Sequence, residues 1–504
     1  MSDELHFTSQ RINELWAILR REIPRETPAY LVGGAVRDLL RGRPIHDLDL
    51  LINGPVRPLA RRAANIIHGA YYVMDEERDT VRVIDQAGDG SPIYLDFCGL
   101  RALDLETDLR ERDFTLNAIA VDLHDPQHLI DPTGGAADLR AKLLRACGPH
   151  SMESDPVRVL RGVRLALSQG FRIPAETLTW MRDAAPLLPS ISSERQRDEL
   201  FRMLEGRQTA SAMRLLAAVG VLLVLLPELA ELPGVEQSPP HTLDVWEHTL
   251  ALLNELERLW AVLVDPPAEE IGDNLWEGMA LATLGRFRSG LNEHFAVSLN
   301  PNRSLRGLVF FASLYHDVAK PSTRSVEPGG RVRFLRHEER GAELAAERAR
   351  RLALSQVEVQ RLNRIVRQHM RIHLLAGEPN LPSRRAIFRY FRDAGPAGVD
   401  TILLSLADTL ATYGPSLTRS VWQAELDTAG SLLEAWFDRP TEVVGPPRLL
   451  SGKELLVEFD LEPGPAIGRL LAVLREAQAA GEVNTRDEAL AYLRENKAAI
   501  LEET

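Results

Sequence analysis

Cysteine is almost missing: Cys98 and Cys147 are the two in 504 residues. Two thiols give neither a disulfide framework nor a thiolate zinc site. No apolar run approaches the length of a membrane span, and residues 1–11 lack the basic-then-apolar pattern of an export signal. A cytoplasmic location and no membrane partner are expected. Aromatic residues make up 6% and offer no obvious stacking platform, and neither internal repeats nor low-complexity segments occur. A basic excess is missing too, since 59 Lys and Arg face 72 Asp and Glu for a net charge of −13. That excludes a uniformly cationic surface but not a local cationic strip, which is all that phosphate contact requires. Candidates are Arg158, Arg161, Arg164 and Arg172, then Arg384, Arg385 and Arg389.

What the chain does have is apolar mass, 45%, and length for three or four domains of roughly 150 residues, each able to bury its own core. Proline and glycine mark the breaks. An α/β head, a mixed sheet with flanking helices, is expected over residues 1–150, and an all-α neck over 151–230. After the linker from Leu232-Pro233-Gly234 to Pro239-Pro240 comes a helical domain over 241–437, with a loop at Pro328-Gly329-Gly330. Gly445-Pro446-Pro447 precedes a helical tail, 447–504.

The chemistry concentrates near the start. Tyr30, Leu31 and Val32 read as a buried strand, and Gly33-Gly34 lets the backbone turn and bring its N–H groups close to a triphosphate. Arg37 follows one helical turn later. In the strand Asp47–Ile52, residues two apart share a face, so Asp47 and Asp49 point the same way. In Ile93-Tyr94-Leu95-Asp96-Phe97 the alternation projects Asp96 from a strand that fits beside them. Paired carboxylates suit Mg²⁺, and two metals held there would activate a hydroxyl and stabilise a pyrophosphate leaving group. An isolated Asp-x-Asp is more often a solvated turn. The surrounding motifs reverse that reading.

Those motifs are Asp108-Leu109-Arg110-Glu111-Arg112-Asp113-Phe114-Thr115-Leu116-Asn117-Ala118, then Asp131-Pro132-Thr133-Gly134-Gly135 with Asp138-Leu139, then Ser154-Asp155-Pro156-Val157-Arg158 with Arg161 and Arg164. With the Gly-Gly and Asp-x-Asp pattern, they make residues 28 to about 225 resemble the bacterial tRNA nucleotidyltransferase and poly(A) polymerase family. The resemblance implies that Arg112, Asp113 and Asn117 grip the ribose and phosphates of the incoming nucleotide. Asp113 and Asn117, four apart, are expected on one helix face. It also implies that Asp155 and Arg158 template the base, with Arg161 and Arg164 beside them. Cytosine and adenine both present an exocyclic amine beside a ring-nitrogen acceptor, which a carboxylate and a guanidinium can pair with, whereas uracil would point a carbonyl at Asp155. The bland alternative for Asp155 and Arg158 is an i, i+3 ion pair. Glu111 stands where the family commonly has a second arginine, and Ser154 where it has an acid. Glu194, Arg195, Arg197 and Glu199 resemble a last motif that braces the templating helix.

A second constellation resembles the HD phosphohydrolase domain: His248, His316-Asp317 and Asp408, with His337 and His369 completing six ligands for two metals. Imidazole and carboxylate together suit Mn²⁺, Fe²⁺, Ni²⁺ or Mg²⁺ and the activation of water toward phosphorus. Lys320 is placed to neutralise a phosphate oxygen, while His241 and His373 are expected as surface groups. The function implied is addition of C, and to some extent A, from CTP and ATP to the tRNA 3'-end, recognised by shape rather than sequence. Asp47 and Asp49 hold the metals, Asp96 helps activate the 3'-hydroxyl, and Gly33, Gly34 and Arg37 receive the triphosphate. The HD domain is expected to hydrolyse phosphoesters at RNA ends or cyclic nucleotides. Alternatives are a poly(A) polymerase, or a phosphohydrolase whose head only binds RNA. In relatives that add the whole CCA end, a flexible loop follows the third carboxylate. Here only Phe97–Thr107 separates Asp96 from the next motif, so efficient C addition and poor A addition are expected. The oligomeric state is left open.

Overall fold

Residues 7–76, 79–88, 90–265, 274–301 and 303–502 are described by the computed structural model. They divide into two units, residues 1–192 with 218–224, and residues 193–217 with 225–504.

The first unit is built on a mixed seven-stranded sheet. Its strands are β1 (Ala29–Val32), β2 (Asp47–Ile52), β3 (Ala70–Asp75), β4 (Thr80–Gln86), β5 (Pro92–Gly99), β6 (Ala120–Asp122) and β7 (Leu129–Ile130), in the order β3-β4-β5-β2-β1-β6-β7. Only β2 and β5 run parallel, and their register sets Asp49 opposite Asp96. Parallel neighbours need a long crossover, here the helix α3 (Val56–Ile67) followed by the β3-β4 hairpin.

Alternation decides what each face does. Leu48, Leu50, Ile52, Val81, Val83, Leu95 and Phe97 share one buried cluster with Ile12, Leu15, Trp16 and Leu19 of α1 (Gln10–Glu22) and with Leu59, Ala60 and Ala63 of α3. Burying each large strand side chain contributes about 1.5–3 kcal/mol, enough to fix the register, since a one-residue slip of a strand would turn all of its buried residues outward. The same alternation leaves Asp47, Asp49 and Asp96 on the opposite face.

The second unit is mainly helical, with one exception. The stretch expected as a loop around Gly329-Gly330 is the turn of a hairpin pairing Arg324–Val326 with Val332–Phe334, both glycines having positive φ. Within the stretch expected as an all-α neck, the helices Ser193–Leu204, Thr209–Ala218 and Leu222–Leu225 are separated by breaks at Gly206 and Gly220. Arg384, Arg385 and Arg389, candidates for a phosphate strip, bond instead to the tail: Arg384 to the Ala479 carbonyl at 3.1 Å, Arg385 to Glu482 at 2.7 Å and Arg389 to Glu476 at 3.0 Å. No helix among the described residues is long and apolar enough to cross a membrane.

Candidate functional site

In the first unit, Gly33 links β1 to the helix α2 (Gly34–Leu40), which it caps with φ of +72°. A Cβ at Gly33 would sit 3.1 Å from Asp49 Oδ2 and 3.7 Å from an Arg112 nitrogen, so glycine keeps the backbone close to both the carboxylate and the cation. Asp49 is half-buried beside Asp96; burial first, then the Asp96 charge, push its carboxyl up to about 6. Asp47, more exposed, is raised by the same two causes. The three carboxylates share one face of the sheet, and Asp47 and Asp49 both feel the Asp96 charge; carboxylates gathered where ionisation is unfavourable suit a divalent cation. Both oxygens of Asp96 are taken by Arg82 of β4, at 2.7 Å each.

The remaining sequence-predicted residues form a connected brace. Arg37, buried, donates to Asn117 Oδ1 at 3.0 Å and to Asp38 at 2.7 Å. Asn117 donates to Asp113 at 3.1 Å, and Arg161 of the helix α4 (Val157–Gln169) approaches Asp113 Oδ2 at 3.3 Å. Asp113 is held below the ordinary aspartate range despite complete burial, chiefly by Arg161 and Asn117. Asp113 and Asn117 do meet, but not on a helix face: the preceding helix ends at Arg110, and Asn117 closes a short 3-10 turn, Thr115–Asn117. Arg112 approaches Asp108 at 3.4 Å. Asp155 precedes α4 with its carboxylate 3.9 Å from Arg158, a distant ion pair; the Arg158 guanidinium donates to the Glu111 and Ser151 carbonyls at 2.9 Å each. Arg164 lies half-buried one turn further along α4.

In the second unit, His248, His316 and Asp408 form one compact ligand set and Asp317, His337 and His369 another, the ligand atoms within each lying inside 4.8 Å of one another; all six residues are buried. Three imidazoles are oriented by the carbonyl three residues earlier: the Nδ1–H of His316 donates to Ser313 at 2.7 Å, that of His337 to Phe334 at 2.8 Å and that of His369 to Val366 at 2.7 Å. Each Nε2 therefore turns its lone pair inward. His337 and His369 bring theirs 3.3 Å apart, and His316 lies 3.4 Å from His248 Nε2. Acceptors that close, with Asp317 and Asp408 held well below the ordinary range against desolvation by His316 and His248 respectively, are a donor set that two cations fit.

Two histidines expected at the surface belong here. His373 bonds Asp408 Oδ2 at 3.0 Å and Glu425 at 2.9 Å, and despite desolvation these two carboxylates raise it to about 10, so both ring nitrogens donate. The His241 ring stands 5.2 Å from that of His248, and burial lowers it to about 4. The spacing of His373, four residues after His369, is the one signal that could have placed it; Glu425 carried none. Lys320 is buried against Asp317 at 2.6 Å and Gln237 at 2.6 Å. These groups open onto a cavity of about 680 Å³ that Arg331 and Arg333 also line.

Residues 29–145 match the family described as the poly A polymerase head domain, 170–232 the probable RNA and SrmB-binding site of polymerase A, and 290–413 the HD domain. The chain is 35% identical to an A-adding tRNA nucleotidyltransferase of Deinococcus radiodurans, over 92% of this chain and 94% of that one. It is 34% identical to a CC-adding tRNA nucleotidyltransferase of Thermus thermophilus, over 94% and 95%. Among solved structures, a CCA-adding enzyme with CTP aligns over 98% of this chain and 96% of its own, with a TM-score of 0.62 at 20% identity. The Thermotoga maritima CCA-adding enzyme with tRNA aligns over 98% and 97% at 0.57 and 20%. At that identity the likeness shows the fold.

Proposed function

Because the chain belongs to the tRNA nucleotidyltransferase family, we propose that its first unit adds nucleotides from CTP, and poorly from ATP, to the tRNA 3'-end. The observation that carries this reading is the parallel register setting Asp49 against Asp96 beside Gly33. Mg²⁺ held by Asp47, Asp49 and Asp96 would supply charge neutralisation for the triphosphate and activation of the acceptor hydroxyl. The chain itself does the rest. The Gly33-Gly34 turn lets backbone N–H groups approach the phosphates, and Arg112 adds a cation beside them. The brace Arg37–Asn117–Asp113–Arg161 ties α2 to α4, so the phosphate grip and the base-reading residues hold one geometry. Asp155 and Arg158 then accept an amine-bearing base edge and discriminate against a carbonyl. Arg37 acts through this brace rather than as a free phosphate hook.

C rather than A addition is supported by the connection after Asp96: β5 ends at Gly99 and the next helix starts at Leu105, leaving five residues, 100–104, between them. In the second unit, the two ligand sets support phosphoester hydrolysis at RNA ends or cyclic nucleotides, with Lys320 and the cavity arginines facing the phosphate. The test is metal-dependent incorporation of labelled CTP and ATP into tRNA lacking its terminus and into unstructured RNA, with the products sequenced. Ends stopping at CC on tRNA alone are expected. Complete CCA ends at low enzyme concentration would overturn the restriction to C, extension of unstructured RNA with A would favour a poly(A) polymerase, and no incorporation would overturn the function.

A further inference from the structure

Nucleotidyl transfer joins two substrates, and the residues assigned so far serve one of them. Gly33, Arg37, Arg112, Asp113 and Asn117 all lie on the β1 and α2 side of Asp49. On the other side, strand register aligns Asp49 of β2, Asp96 of β5, Arg82 of β4 and Tyr72 of β3 in one row across the same face. Arg82 forks onto both oxygens of Asp96 and lies over the Tyr94 ring, 4.7 Å from its centroid. Tyr72 ends the row on the edge strand and is 54% exposed. The core needs none of these side chains, because Val81, Val83, Leu95 and Phe97 turn the opposite way and are buried. At about 4.8 Å between strands, the row extends roughly 10 Å from Asp96 to Tyr72, the reach of one to two nucleotides.

We propose that Arg82, Tyr94 and Tyr72 seat the 3'-end of the acceptor RNA. The guanidinium receives the last phosphodiester, and the tyrosine rings stack on the terminal bases. This rests on reading the head as the nucleotide-adding unit. The chemistry is that of single-strand binding generally: a cation for the backbone and π-faces for bases, without sequence readout. Arg82 is free for that contact when a cation takes over the Asp96 carboxylate; otherwise it neutralises Asp96, so one side chain serves the resting and the loaded site. Asp96 and Tyr94, the partners of Arg82, are half-buried, and neither Arg82 nor Tyr72 belongs to the buried cluster, so their removal leaves the core intact.

The test measures binding without turnover: fluorescence anisotropy of the full-length protein with labelled tRNA lacking its terminus, in Mg²⁺ without nucleotide, across a salt series. Arg82→Ala should weaken binding about tenfold and reduce the slope of log affinity against log salt by about 0.7–1, one phosphate contact. Arg82→Lys should restore the slope. Tyr72→Ala should weaken binding at least about fivefold with the slope unchanged, since stacking carries no counterion release. The KM for CTP should stay within about twofold in Tyr72→Ala, which lies two strands away from Asp96 on the side opposite Gly33. If Arg82→Ala and Tyr72→Ala bind as tightly as the parent and with the same slope, the seat is wrong. Incorporation of CTP by the parent protein in the same preparation shows whether the reading of the head survives that outcome, and a parent with no affinity for tRNA overturns both.

Discussion

Asp49 faces Asp96 across a parallel strand pair and carries a carboxyl raised to about 6 by burial and that neighbour. Replacing Asp47 or Asp49 with Ala removes a cation ligand rather than core, so the thermal midpoint should barely move. Incorporation of CTP should fall by more than about a hundredfold, the value of several kcal/mol of transition-state stabilisation. Steady-state incorporation beside a melting curve checks both halves. Arg158→Ala removes the donor half of the base-reading pair and two bonds to the Glu111 and Ser151 carbonyls. CTP over UTP selectivity in a competition assay should drop about tenfold, one charge-assisted hydrogen bond's worth. Asp47, Asp49 and Asp96 were legible in the sequence because a period of two fixes the face of a strand residue without knowledge of its neighbours. His373 was not, because its partners Asp408 and Glu425 are 35 and 52 residues away and only the fold brings them together.

The Asp131-Pro132-Thr133-Gly134-Gly135 motif shows the same limit for elements. Asp131 accepts from the Gly135 and Ala136 N–H groups at 2.7 and 2.9 Å, capping the short helix that follows, and Gly134 has φ of +76°. A Cβ on Gly135 would lie 2.0 Å from the Thr115 carbonyl oxygen. Gly135→Ala should therefore cost about 3 kcal/mol in a denaturant titration, because backbone rather than a flexible side chain must yield. The motif was legible; its reason, a close approach to the turn carrying Asn117, was not. In the second unit, Asp400 of the helix Ala397–Tyr413 accepts from His294 at 2.7 Å and from Arg361 at 2.9 Å, tying three helices. Despite full burial, those partners hold its carboxyl below the ordinary 3.8. A lowered carboxylate contributes stability above its unfolded value, and that contribution is lost as pH falls through and below 3.8 toward the folded value. At pH 7, Asp400→Asn should cost about 3 kcal/mol by leaving the half-buried Arg361 without its countercharge. The gap between parent and variant in thermal unfolding should narrow as pH is lowered from about 5 to 3.

At the scale of the molecule, the strand carboxylates lie in the first unit and the two histidine-rich ligand sets in the second. His316→Ala or Asp317→Ala should therefore abolish phosphate release from 2',3'-cyclic or 3'-phosphate ends, while CTP incorporation stays within about twofold. Assaying both activities on one preparation decides it. The head and the helical remainder were legible as classes; the Arg324–Phe334 hairpin was not, its strands being three residues each and exposed or half-exposed. The crossover between β2 and β5 has a consequence for synthesis. Asp49 and Asp96 lie 47 positions apart yet become neighbours only through parallel pairing, which is slow because loop closure precedes any gain. A ribosome-bound chain cut before β5 holds Asp47 and Asp49 with no third carboxylate. The nascent protein thus passes through an interval in which Asp47 and Asp49 lack their third carboxylate, and nucleotide chemistry waits until the sheet has closed.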